Sequence, residues 1–173
     1  MTTFRTNAVA LVAAAAIALS ALLTGVGAAE AEPSQPSEQE INRDLAAARA
    51  ASAKYHRVEV ALADGFVEPV PHPEHPEHPV CVVSPSGGMG YHFVNPSRMG
   101  DGRIDVREPE VLLYEKDAAG RFRLTGVEYI GNEGDALFGR SFTQGPPGHA
   151  LHVWLWKHNP SGMFADWNPN VGC

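Results

Sequence analysis

His92, Glu128 and His152 are the residues best suited to chemistry. His92 stands between Tyr91 and Phe93, Glu128 between Val127 and Tyr129, and His152 between Leu151 and Val153. A carboxylate in so apolar a run either faces water or is paired inside the fold. Two imidazoles and a carboxylate from different strands are the donor set of a mononuclear Zn or Cu site. The expectation is one transition-metal ion held by His92, Glu128 and His152. His149 is a candidate fourth ligand, because Gly148 allows the chain to bend there. His158 is too far along a straight strand from His152, since six residues at about 3.3 Å each span about 20 Å. The plainer reading of each residue alone is a hydrogen-bonded imidazole or a wet carboxylate. No HExxH or CxxC motif sharpens the choice. If the ion is catalytic, it activates water or oxygen with Glu128 as ligand or base; enzyme and binder both stay open.

A second chemistry competes. On a strand from Leu151 to Lys157, His152, Trp154, Trp156 and His158 share one face and Leu151, Val153, Leu155 and Lys157 the other. Trp154 and Trp156, with His158, then form a stacking surface for a carbohydrate or another small ligand, in a non-enzymatic binding module. Other constellations are weaker. Serine catalysis lacks a G-x-S-x-G elbow. Glu115 and Glu128 on adjacent hairpin strands could act as an acid and base pair, as in glycosidases, but hairpins bring many carboxylates close without any role. Asn132, Glu133 and Asp135 are half a calcium loop. In PHPEHPEHP, His72, His75 and His78 recur at the period of a polyproline II helix, about 9 Å apart on one edge. That is too far for two of them to share an ion without bending, so the tract reads first as a solvated linker.

The elements that must position these residues follow from pattern. Ser37 and Glu40 have the spacing of a capping box. Ile41, Leu45, Ala48, Tyr55, Val58 and Leu62 fall on one helical face, with Ser52 between, and Gly65 stops the helix. The spacing predicts one long helix over 38–63. Strands are expected at 80–83, 91–94, 110–115, 121–130 and 151–157, with a hairpin joining the third and fourth. Ser84 to Gly90 reads as a flexible glycine-rich loop without the Gly-Lys-Ser/Thr of a phosphate loop. Asn159-Pro160 ends the last strand. The fold class is α+β: a long N-terminal helix packed on a twisted antiparallel sheet, with one disulfide.

Bulk properties set the compartment. The chain has 173 residues. Arg5, the uncharged run Ala8 to Leu23 and Ala29-Glu30-Ala31 read as a signal peptide over 1–31. A disordered linker at 32–36 and one α+β domain at 37–173, with a His/Pro-rich loop at 69–79, complete the organisation. The expected location is secreted, extracellular. There are 13 Lys and Arg against 20 Asp and Glu, a net charge of −7. Such a balance without a basic cluster excludes nucleic acid and an anionic membrane surface as partners. A metal or a small molecule remains. Cys81 and Cys173 are the only cysteines. In an exported chain they pair, and a loop of that length stabilises by about 4 to 5 kcal/mol in the chain-entropy model.

The strings GMGYHFVNP (88–96), PEVLLYE (109–115), LTGVEY (124–129) and LHVWLWKHNPSGMFADWNP (151–169) resemble a family of exported bacterial proteins of unknown function. The resemblance covers most of the chain beyond the leader. It implies one exported domain of a shared fold and carries no activity. The His/Pro tract and the short segment before His149 depart from the family's pattern.

Overall fold

Ser37 opens the first helix as its spacing to Glu40 requires. Its hydroxyl accepts the Glu40 amide, and the Glu40 carboxylate accepts the Ser37 amide. In this computed structural model the described residues are 35–69, 80–145 and 148–173, and they belong to one unit, Gln35–Cys173. The expected leader, linker positions 32–34 and the tract with His72, His75 and His78 lie outside the described residues.

A single long helix does not form. Helix α1 (Glu38–Ser52) passes into a 3-10 turn (Ala53–His56). Arg57 is then extended, at φ −99° and ψ 108°, before the short α2 (Val58–Ala63). The break has local causes. The Ser52 hydroxyl donates back to the Ala48 carbonyl at 2.8 Å, a bond that bends helices. Tyr55 turns inward, its ring edge-on to Phe66. Beyond Arg57 the apolar face has moved by one residue. Ala61 is fully buried, whereas Leu62, expected in the stripe, is 38% exposed.

Among the described residues eight strands follow: β1 (Val82–Ser84), β2 (Gly87–Val94), β3 (Val111–Lys116), β4 (Phe122–Gly131), β5 (Ala136–Leu137), β6 (Arg140–Ser141), β7 (Thr143–Gly145) and β8 (Gly148–Val153). Six of them make one antiparallel sheet in the order β1-β2-β3-β4-β8-β7, and β5 and β6 form a separate ribbon. The expected hairpin is β3–β4. Asp117 holds its loop by accepting the Ala119 and Arg121 amides and the Arg121 and Arg123 side chains. Those contacts, led by the Arg121 amide, keep its carboxyl well below the usual carboxylate range.

The stretch expected as a loose glycine loop is mostly β2. Its glycines give room to the C-terminal tail and to β3 rather than freedom to the chain. A Cβ on Gly88 would meet the Val171 carbonyl, and one on Gly90, at φ +83°, the Tyr114 carbonyl. The Gly88 and Asn168 backbones bond to each other in both directions there.

The sheet has an apolar cluster on each side. Tyr91, Phe93, Leu112, Tyr114, Val127, Tyr129, Leu151 and Val153 face the helices and join the larger core. The intervening residues Val94, Val111, Leu113, Ile130 and Trp154 form a second cluster with Val171 of the tail. Asn95, Asn159 and Asn168, each before a proline, are buried and fix the connecting loops. Each accepts the amide two residues on through its side chain, and each donates its amide to a distant carbonyl: Asp64, Trp167 and His158 respectively. Cys81 and Cys173 are joined in a disulfide that closes a sequence separation of 92. Among the described residues, no helix is long and apolar enough to cross a membrane.

Candidate metal centre

Strand alternation puts His92, Glu128 and His152 on the same side of the sheet, away from the helices. Each is flanked by two residues of the larger core, so each must point the other way. Register then sets how near they lie. Glu128 on β4 is directly opposite His152 on β8. His92 on β2 pairs with Leu113 of β3, and β3 pairs in turn with β4, with a register shift between Leu113 and Tyr114. His92 therefore reaches Glu128 across an intervening strand. Curling of the sheet and the length of the two side chains close that gap.

The His92 Nε2 atom is 3.7 Å from Glu128 Oε2, and His152 Nε2 is 3.5 Å from Glu128 Oε1. One ligand atom from each of the three lies within 4.8 Å of the other two. The two imidazoles meet edge to face, 6.3 Å between centroids. Glu128 and His152 are each 4% exposed, and His92 is half-buried. An ion at about 2.1 Å from each donor in a tetrahedral array would separate the donors by about 3.4 Å. The two His–Glu distances already come near that value.

The His152 ring is more unusual still. Both of its nitrogens are buried, and neither has a hydrogen-bond partner among the described residues. Buried polar atoms are normally satisfied, because leaving one bare costs about 1–3 kcal/mol. Asp166 stands on the far side of this ring, its Oδ1 3.7 Å from Nδ1. That is an electrostatic contact, too long for a hydrogen bond. Thr143 on β7 donates to the same oxygen at 3.1 Å. Burial by itself pushes the His152 pKa down, but the Asp166 and Glu128 carboxylates outweigh it and hold the group above its ordinary value. His92 goes the other way. Burial, helped by the neighbouring His152, lowers it despite Glu128. His152 in return draws Asp166 below the usual carboxylate range.

The other expected residues fall elsewhere. His149 is on β8 three residues from His152, hence on the opposite face, and pairs with Gly131 and Gln144. The strand remains regular from Gly148 to Val153, so the bend that would have joined the two imidazoles is missing. The strand also stops at Val153 rather than Lys157, and this parts the tryptophans. Trp154 is 3% exposed in the second cluster and donates its indole N–H to the Ala165 carbonyl. Trp156 packs on the helix side, donating to Ser52 Oγ under the Arg49 guanidinium. The two make no shared open stacking face. His158 is exposed, and its carbonyl accepts from Asn168 and Asn170. Glu115 binds Lys157 at 2.6 Å instead of pairing with Glu128.

Asp166 was not among the residues singled out from the sequence. Its one signal was an acid in the otherwise uncharged run Met163 to Asn168. A cavity of about 760 Å³ opens beside His92, Glu128 and His152, walled largely by apolar side chains. No family model, curated protein or solved structure matches the chain.

Proposed function

We propose that this is an exported protein that binds one transition-metal ion, zinc or copper, through His92, Glu128 and His152. The observation that carries the reading is the His152 ring, buried with both nitrogens unpartnered among the described residues, beside a buried carboxylate and a second imidazole. A bound ion would give Nε2 the partner it lacks. Asp166, near Nδ1, would hold the proton there and leave the Nε2 lone pair free, the arrangement of a carboxylate behind a metal-bound imidazole. Glu128 contributes the negative charge that offsets part of the ion's own. Export is supported by the Cys81–Cys173 disulfide and by the leader-like run at 1–31.

The test is elemental analysis of protein purified without a histidine tag, followed by titration with Zn(II) and Cu(II). About one ion per chain is expected, lost in the His92→Ala/His152→Ala variant. A stoichiometric ion that survives in that variant, or no ion in the parent under any loading, would refute the assignment.

A further inference from the structure

We infer that an ion at this centre turns its open coordination position toward a small organic acid, whose apolar body fills the adjoining cavity. This deepens the metal reading and rests on it. Three protein ligands leave a tetrahedral ion one free position, as in centres that bind or transform a substrate. The cavity beside the ligands, about 760 Å³, has the size of a small-molecule site. Val67, Val94, Met99, Val111, Ile130 and Ala150 line it. These walls offer an apolar body contact area and no hydrogen bonds. Thr143 and Gln144 also line the cavity, but neither carries charge, so charge on the polar head would be answered at the centre.

Charge decides what that head is. Among the described lining residues there is no Lys or Arg, while Glu68, Glu128 and Asp166 are acids. Without an ion, a carboxylate entering this cavity meets these acids and no Lys or Arg among the described lining residues, and the His152 imidazole is already engaged by Glu128 and Asp166. With one, the ion's two positive charges exceed the single charge of Glu128. Asp166 lies behind the His152 ring, 42% exposed, where water and Thr143 answer its charge. Against the described lining residues, the free position is thus the strongest attraction the cavity offers an anion. Acid binding and metal binding are coupled. A neutral apolar molecule would feel the walls and not the ion.

Calorimetry on the tag-free protein reads this coupling. The protein, metal-free or loaded with Zn(II) and in parallel Cu(II), is titrated with octanoate and with octan-1-ol. Octanoate should bind the loaded form about tenfold or more tightly than the metal-free form, as a charge-assisted contact gives. Octan-1-ol should show no such gain. Met99→Trp, filling the cavity wall, should weaken octanoate and leave the metal stoichiometry unchanged. One bound ion without a gain for octanoate overturns the inference and leaves the metal reading standing. So does an equal gain for octan-1-ol, or an unaltered octanoate affinity in folded Met99→Trp protein. Failure to bind either ion overturns the metal reading, and the inference with it.

Discussion

At the scale of single residues, the telling contact is the one behind the His152 ring. Asp166 does not belong to the three-residue cluster, yet its Oδ1 lies 3.7 Å from His152 Nδ1, where under the proposed metal reading it would hold the proton. Asp166→Asn keeps the shape and removes the charge. The expected result is a loss of about 10- to 100-fold in metal affinity with the stoichiometry intact, read by competition with a chromophoric chelator. An unchanged affinity would mean the carboxylate is a bystander. His92 and Glu128 were legible because each interrupts an apolar run at a position that strand alternation turns away from the core. Asp166 was not, since it reaches the site from an irregular tail with no period to follow.

At the scale of elements, the helix break is where local pattern and packing disagree. Heptad-like spacing ran through Arg57, but the chain breaks there and resumes with its apolar face shifted from Leu62 to Ala61. Ser52 sits at the junction, donating to the Ala48 carbonyl and accepting the Trp156 indole. Ser52→Ala strips the half-buried indole of its acceptor and should cost about 1–2 kcal/mol in urea unfolding. A midpoint equal to the parent's would show that the break is held by other contacts. The same Trp156 marks the end of β8. Its amide bonds the Thr125 carbonyl instead of continuing the strand, which sends its side chain toward the helices. Alternation along 151–157 was the right rule applied past the point where the strand stops.

For the whole molecule, one buried group ties stability to pH. Glu110 is 2% exposed and accepts the Ile130 amide at 3.1 Å. Burial pushes its carboxyl up from 4.5 to about 7, against the pull of that amide. The native state thus keeps a proton that the unfolded chain has already released. This contribution is full below about 4.5 and is lost as pH rises through about 7, falling by about 3 kcal/mol in all. Thermal melts across that window should show stability dropping toward neutral pH. In Glu110→Gln this part of the slope should vanish. A slope identical in the two proteins would place its origin in other groups.

The sequence by itself determined what depends on neighbours along the chain. The Ser37–Glu40 cap, the β3–β4 hairpin, the Asn159-Pro160 turn and the outward phase of His92, Glu128 and His152 are all short-range consequences of backbone geometry. The tertiary structure decided what depends on register between strands and on curl. It carried His92 across β3 to Glu128, set Asp166 behind His152 and separated Trp154 from Trp156. A period tells which face a side chain takes; only the pairing of strands fixes what stands next to it.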